Sequence, residues 1–504
     1  MRAFVLVVHA QKLCVAERFK SYTVVGRPDP GRHAFLCARA LAHQPTVHPK
    51  LSPQRPSPRP PQAGTYTQAA HNPRSITQLP ALPGQITMNY VNVSSLKKLL
   101  IPALVASVAL GGLAAQAEVI KIGFIEVMSG PFAKTGEGSL SQLREVALQL
   151  NAKAKGNDPT FEIVPFDGKG SPQESVVALK SAVDQGIHYI TQGGGSGVAL
   201  ALTDAIAKLA EREPEKAVVF MNYAAMDPLL TNERCNFWHF RFYPSSEMKI
   251  EALTTYLTKR PDVKKVFLFN QNYTHGQQVA KASRLYLSRK RPDVTIVGDD
   301  MIPIAQVRDF APYVAKIKAS GADTVITSNW GSDLTLFFKA AKEGGLNINF
   351  FTMNANNPGT PAEMGSWGAE KVGVIWNWGH NAPTPELEKI YLAYKAKYNE
   401  DFIFAAHWNS LSMLSAAVQK AGTVEPKKVA YTLEGMKYKS PIGEVEMRKT
   451  DHQLLAPLFL GIWAKQGSKG VKYDAEKTGY GFRSEVVWDS YISAQPTSCQ
   501  MARP

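Results

Sequence analysis

The sequence predicts an α/β protein built as two doubly wound parallel-sheet lobes in tandem. Three observations predict it. From Val119 onward, short β-branched runs alternate with amphipathic segments for about 250 residues, the pattern of a parallel sheet with helices on both faces. The alternation falls into two series of about 100–130 residues, each the size of one such domain. Composition permits it, because 504 residues with 44% apolar and 20% charged side chains can fill two or three ordinary cores.

The first series opens with a strand at Val119–Ile125. A helix follows over Gly136–Lys155, where Leu140, Leu143, Val146, Ala147 and Leu150 recur at helical spacing. Next come strand Phe161–Phe166, helix Pro172–Asp184, strand Ile187–Thr191, helix Val198–Glu211 and strand Ala217–Asn222. The second series runs as helix Ser245–Lys259, strand Lys264–Asn270, helix Gln277–Ser288, strand Val294–Gly298, helix Val307–Ser320, strand Thr324–Thr327, helix Ser332–Glu343 and strand Ile348–Thr352. Beyond it the character changes, with helices at Pro385–Tyr398, Phe404–Ala421 and Glu425–Glu434 and strand-like pieces at Val372–Trp376 and Leu454–Trp463. The aromatic clusters Phe237-Trp238-His239-Phe240 and Trp376-Asn377-Trp378 read mostly as core, with some of these residues able to line a cleft.

The formal charge of +15 would fit a polyanion partner if it were spread over the protein. It is not. Residues 1–87 hold 11 Lys+Arg against 2 Asp+Glu, with 12 of the 33 prolines, and show neither a helical nor a strand period. They read as a disordered extension. Met88 then opens a second anatomy: Lys97 and Lys98, an apolar run of 15 residues from Leu99 to Leu113, and Ala115-Gln116-Ala117. That is a secretory signal peptide over 88–117, too short in its apolar run for a spanning helix. Translation is therefore expected to begin at Met88, with 1–87 a non-native extension, and the exported chain to be 118–504. Within it 44 Lys+Arg face 40 Asp+Glu, which leaves no electrostatic case for nucleic acid. Cys235 and Cys499 are its two cysteines, and an oxidising periplasm is expected to pair them.

Open parallel sheets bind ligands outside the C-terminal ends of their strands. After the first strand comes Ser129-Gly130-Pro131-Phe132-Ala133-Lys134-Thr135-Gly136, with small residues and one ring, Phe132, able to cover an apolar group. After Ile187–Thr191 comes Gln192-Gly193-Gly194-Gly195-Ser196-Gly197, leading into a helix. Bare N–H groups with the Ser196 hydroxyl suit a carboxylate. The run lacks the endings of a phosphate loop or a dinucleotide fingerprint, and Val198 stands where a nucleophile elbow needs glycine. A tight structural turn, an anion site and a catalytic serine all stay open at this stage. His275 and His452 have no partner at i+3 or i+4, so hydrogen-bonded roles outweigh metal ligation. Asp309, Asp323 and Asp333 sit where capping is the common use.

In family order, several segments match one known group. They are Ile122-Gly123 to Ser129-Gly130-Pro131-Phe132-Ala133, Ala224-Ala225 to Asp227-Pro228-Leu229, Phe240-Arg241, Asn270-Gln271-Asn272-Tyr273 to Gly276, Lys318 to Asp323, and Gly331-Ser332-Asp333-Leu334 to Glu343. On these the chain from Val119 resembles the periplasmic substrate-binding proteins of branched-chain amino acid ABC transporters, with the type I fold. The resemblance implies two lobes joined by a multi-strand hinge: 118–242 and 376–445 in the first lobe, 243–375 in the second, and 446–504 as return strands and tail. It implies a monomer that closes on a small carboxylate, a branched-chain or related amino acid, and hands it to an inner-membrane ABC permease without cofactor, metal or catalysis.

The family's ligand-holding serine matches Ser196, beside Gly195, and its Ala-Ala-Thr loop matches Ala224-Ala225-Met226, with a thioether where a hydroxyl is expected. Thr135 stands where an aromatic is common, and Tyr273, Asn329, Trp330 and Asn354 fall at cleft positions, joining Ser129 and Phe132. These departures admit an aromatic or other carboxylic acid, or an amide, as the ligand. A sensor that presents ligand to a membrane receptor, or an enzyme of this fold using Ser196, are the other classes. Amino-terminal sequencing of the exported protein should begin at Glu118; a mature form carrying any of 1–87 would refute the leader assignment.

Overall fold

The strand β1 (Val119–Glu126) is apolar almost throughout, and from Ile122 onward every residue is buried, as a strand with neighbours on both sides and helices on both faces requires. The computed structural model describes residues 118–381 and 384–504; the extension 1–87 and the signal peptide 88–117 lie outside the described residues. After β1 a 3-10 turn leads into α1 (Ala133–Asn151), followed by β2 (Thr160–Asp167), α2 (Pro172–Asp184), β3 (Tyr189–Gln192), α3 (Ser196–Arg212), β4 (Val219–Asn222) and β5 (His239–Arg241). The five strands form one parallel sheet in the order β2-β1-β3-β4-β5.

The chain then crosses to a second sheet. α4 (Ser246–Leu257), β6 (Lys265–Gln271), α5 (Thr274–Lys290), β7 (Thr295–Ile302), α6 (Ala311–Ala319), β8 (Thr324–Thr327), α7 (Gly331–Glu343), β9 (Asn349–Thr352), α8 (Thr360–Met364) and β10 (Val372–Trp376) make its parallel part. Asp323 sets the register at its entry, accepting from Lys264 N and Lys265 N at 2.8 Å each.

A second crossing returns the chain to the first lobe as α9 (Pro385–Tyr398), α10 (Ala405–Ala421) and α11 (Pro426–Leu433). Here α1 receives them through side chains. Gln142 Oε1 accepts from Ile403 N and Phe404 N at 2.8 and 2.9 Å, Ser139 bonds His407 Nε2, Ser141 bonds Tyr394, and Glu145 accepts from Lys397 at 2.6 Å. A small antiparallel meander, β11 (Lys437–Ser440), β12 (Gly443–Met447) and β13 (Leu454–Leu455), leads to the third crossing. Then β14 (Leu458–Lys465) and β15 (Tyr480–Trp488) add antiparallel strands to the second sheet, giving β15-β14-β10-β9-β8-β6-β7.

The first and third crossings are clasped by Arg241, a fully buried guanidinium. Its Nε donates to Gln453 Oε1 at 2.5 Å, its Nη1 to Asp227 O at 2.6 Å and its Nη2 to the Thr231 hydroxyl.

The structure bears out two doubly wound parallel lobes and corrects details. The expected piece Leu454–Trp463 is interrupted at Ala456-Pro457, because proline has no N–H for the ladder. β5, β11, β12 and β15 are not anticipated: β5 has three residues, and β15 is an edge strand whose exposed Glu485 and Val487 leave no core-like run. The expected helix at Val307 starts at Ala311, with Pro312 at its second position and Asp309 accepting from Ala311 N.

Cys235 and Cys499 form a disulfide, their Cα atoms 5.7 Å apart. Around it the tail is also held by Thr497, which donates to Thr231 O at 2.6 Å, and by Arg503, which pairs with Glu434 at 2.8 Å. A bridge between residues 264 apart in sequence stabilises by constraining the unfolded chain, about 2–4 kcal/mol in typical cases. Reduction is expected to lower stability to guanidinium by that order. Two free thiols in the unreduced, denatured mature chain would remove the bridge.

Candidate functional site

The C-terminal ends of the strands converge on one cavity of about 40 Å³ between the lobes. The first lobe contributes Thr135, the glycine loop 193–196, the loop Tyr223-Ala224-Ala225-Met226, and Phe404. The second contributes Tyr273, His275, Trp330, Asn354 and Asn357, and Tyr243 enters from the first crossing. A larger hollow of 550 Å³ lies beside it, between α1 and the segments 356–362 and 475–482. Part of its polar lining is already paired, Lys395 with Asp401 and Asp474 and Glu476 with Gly359 N and Ala362 N, while Asn356 Oδ1 and both ring nitrogens of His380 have no partner among the described residues. The smaller cavity sits where this sheet topology places ligands.

The glycine loop is not the open anion cradle its sequence suggests. The buried carboxylate of Glu126, at the end of β1, occupies part of it. Oε2 accepts from Gly193 N at 3.0 Å, Gly194 N at 2.9 Å and the Tyr223 hydroxyl at 2.6 Å; Oε1 accepts from Val127 N at 3.0 Å. Burial, then the charge of Glu126, pushes the Tyr223 hydroxyl far above its ordinary pKa, so it stays a donor. A Cβ on Gly194 would lie 2.0 Å from Glu126 Oε1, so glycine is required there by packing. The donors left for a ligand are those of the α3 N-terminus and the Ser196 hydroxyl. Ser196 Oγ accepts from Asp227 N at 3.2 Å, which leaves its proton free to donate.

The loop after β4 is fixed by Asn222, which accepts from Ala224 N and Ala225 N and donates to Ala225 O. Met226 turns its carbonyl to the second lobe, accepting from Ser246 N at 2.8 Å and Ser246 Oγ at 3.0 Å. With its one proton given there, the Ser246 hydroxyl accepts from His275 Nδ1 at 2.7 Å. His275 Nε2 is then a bare acceptor, buried and without a protein partner. Burial, aided by the charge of Lys249, pushes the His275 pKa down to about 3, so the ring is neutral.

Lys249 stands behind this wall with 0% exposure. Its ammonium donates to Tyr243 Oη at 3.2 Å and Met353 O at 2.9 Å. Burial brings its pKa down to about 7. Among the described residues no carboxylate lies within ion-pair distance of it.

Of the expected residues, Thr135, Gly195, Ser196, Ala224, Ala225, Met226, Tyr273, Trp330 and Asn354 line the cavity. Phe132 does not; it stacks on Trp330 across the lobes at 4.2 Å between ring centres, and a Cβ at Gly331 would lie 2.2 Å from its ring. Ser129 is exposed at the entrance of the 3-10 turn. Asn329 is buried outside the lining, its carbonyl accepting from Asn354 Nδ2 at 3.3 Å. Glu126, Tyr223, Tyr243, Lys249, Asn357 and Phe404 escape the sequence reading. The one available signal was an acidic residue closing an otherwise apolar strand, which marks a buried carboxylate in need of donors.

Comparisons with known proteins agree with this architecture. Residues 119–468 match the family described as periplasmic binding protein. The chain is similar to the Leu/Ile/Val-binding protein homolog 4 of Brucella abortus (strain 2308), at 29% identity over 79% of this chain and 97% of that one. It is similar to the crystal structure of the leucine-, isoleucine-, valine-, threonine- and alanine-binding protein from Brucella ovis in its closed conformation, with a TM-score of 0.70 and 27% identity over 77% of this chain and 100% of that one. A solute-binding protein of an ABC transporter from Rhodopseudomonas palustris BisB5, solved with 3,4-dihydroxybenzoic acid, shares the fold at a TM-score of 0.63 and 18% identity, over 74% of this chain and 98% of that one.

Removing the Glu126 carboxylate orphans buried donors, at about 1–3 kcal/mol each. Glu126→Ala is therefore expected to lower the urea unfolding free energy by several times the cost of Glu126→Gln, which keeps an acceptor oxygen. Equal costs for the two would exclude these hydrogen bonds as the reason.

Proposed function

Because the chain belongs to the periplasmic binding protein family, we propose that it is the exported receptor of an ABC importer, capturing a small carboxylate between its lobes and delivering it to the membrane permease. One observation carries this reading. The cavity at the strand ends draws its walls from both lobes, so a ligand completes its contacts only when they close, and binding selects the closed state. Its chemistry is that of recognition. The Ser196 hydroxyl and the α3 N-terminus offer donors to a carboxylate, His275 Nε2 offers an acceptor to a second group of the ligand, and aromatic rings enclose the remainder. Among the described residues the one protein partner of Ser196 Oγ is the Asp227 N–H, so no base is hydrogen-bonded to it and a hydrolytic serine has no support here. The apolar run and Ala-Gln-Ala of the leader support passage to the periplasm.

A branched-chain or related amino acid is the first ligand reading, supported by the names of the relatives. A second reading, an aromatic acid without an ammonium group, is favoured by the lining. None of the residues lining the cavity carries a carboxylate, five of them are Tyr223, Tyr243, Tyr273, Trp330 and Phe404, and the Lys249 ammonium lies behind His275. An α-ammonium bonded to His275 Nε2 would face that cation with no lining anion to offset it; a hydroxyl would not.

A thermal-shift screen against branched-chain amino acids, hydroxybenzoates and their amides tests both readings, since a ligand at a hundred times its Kd stabilises by about 2.7 kcal/mol. Some acid is expected to raise Tm, and Ser196→Ala is expected to weaken it about tenfold. Shifts with the amino acids alone would discard the second reading, and unchanged affinity in Ser196→Ala would remove Ser196 from the site.

A further inference from the structure

Lys249 is a buried cation with no carboxylate within ion-pair distance among the described residues. It lies on α4, the helix that follows the first crossing, and both its acceptors are neutral: the Tyr243 hydroxyl and the Met353 carbonyl. Around it, α4 itself carries Glu247, half-buried, and Glu251, which is tied to Lys290 at 2.5 Å. α5 presents His275, while its Lys281 is exposed and its Lys290 is tied to Glu251. β10 contributes no ionisable side chain, β14 contributes Lys465 at its exposed end, and the 3-10 turn 490–493 contributes the exposed Tyr491. An ammonium in such a place is costly unless a negative charge reaches it.

Tyr243 connects this charge to the cavity. Its oxygen receives a hydrogen from Lys249, and Tyr243 is among the residues that line the space between the lobes. Burial holds its pKa above the usual phenol value, so it keeps its own proton. That proton has no acceptor among the described residues. A phenol whose oxygen accepts from an ammonium is a stronger donor than a free one, because hydrogen bonds in a chain polarise one another.

We propose that Lys249 and Tyr243 form a relay through which the second lobe donates a charge-assisted O–H to the ligand's carboxylate, and that Lys249 thereby makes the receptor select acids over their neutral amides. This rests on the carboxylate reading above and adds the positioning residue that enforces it. On the first lobe the Ser196 hydroxyl is a neutral donor, and the buried Arg241 guanidinium is already engaged by Gln453, Asp227 O and Thr231. The ligand anion thus sits between a lobe 1 donor, Ser196, and a lobe 2 cation one residue removed.

Linkage gives the relay a signature that a purely structural lysine lacks. A carboxylate binds best to charged Lys249, so acid affinity is highest below about pH 7 and falls as pH rises through that value, by up to tenfold per unit. His275, already neutral in this range, adds nothing to the slope. Amide affinity stays flat.

The test compares benzoate with benzamide and isocaproate with isocaproamide by calorimetric titration of the full chain from pH 6 to 8.5. It uses the wild type, Lys249→Met and Tyr243→Phe. Wild type is expected to prefer each acid. Lys249→Met should lose about tenfold to a hundredfold in acid affinity, leave the amides within about twofold, and abolish the pH slope; Tyr243→Phe should shift acid affinity the same way. Because Lys249→Met removes a buried charge and keeps the volume, it should fold; if it does not, Tyr243→Phe alone decides by the same readouts. Acid preference and pH slope unchanged in either variant overturn the relay alone. A wild type that binds acids no better than amides overturns the carboxylate reading, and the relay with it.

Discussion

The first lobe is organised around one buried anion. Glu126 closes β1, and its carboxylate has to be met by donors because it is buried, with no cation within ion-pair distance among the described residues. Gly193 N, Gly194 N and the Tyr223 hydroxyl meet it, which draws the ends of β1, β3 and β4 to a common point. The consequences spread outward. Tyr223 packs against His407 at 4.3 Å and against Phe404 at 5.3 Å between ring centres, so the helix α10, which belongs to the returning part of the chain, is seated by the same cluster. Ser139 and Gln142 on α1 then bond that return segment from the other side. A glycine run that could be read as an anion cradle for a ligand is in large part required by an anion of the protein's own.

The second lobe holds a buried cation, Lys249, with no carboxylate within ion-pair distance among the described residues, and a buried acid, Asp333, whose Oδ2 accepts from Gln271 Nε2 and Ala305 N. Glu126 and Lys249 cannot neutralise each other, since each is already held by neutral donors or acceptors on its own side. A molecule held in this cavity touches both lobes only when they are closed, and that difference is what can bias a two-state hinge.

The parallel lobes were legible because buried strands such as Thr324–Thr327 are short β-branched runs and helices such as Pro385–Tyr398 open with a capping threonine and proline. The glycine loop, Ser196 and the loop at Ala224 were legible for the same reason: they follow strands. What stayed hidden depends on contacts between distant segments. Lys249 looks like any lysine on a helix until the fold removes it from water, and Tyr243 gains its role only from that neighbour. His275 shows no partner in sequence because its partner, Ser246, lies 29 residues away and orients it from another helix. β15 is an edge strand with polar residues on its outer side, and no local pattern separates it from a loop.

The size of the cavity ties these parts to motion. A space of about 40 Å³ holds about two or three waters, far below the roughly 300–1,000 Å³ of ligand pockets. The lobes must therefore part for a ligand to enter, and the contact that parts is identifiable. Phe132 of the first lobe stacks on Trp330 of the second, and Trp330 is itself held by Tyr273, whose hydroxyl accepts from its Nε1 at 2.9 Å. Gly331, in the left-handed region at φ +59°, lets the ring approach so closely that a side chain there would collide with it. An aromatic pair of this kind contributes about 0.5–1.5 kcal/mol beyond its buried area, enough to steady closure and too little to enforce it. The larger share must come from a ligand that touches both walls, which is the property a receptor of this design needs.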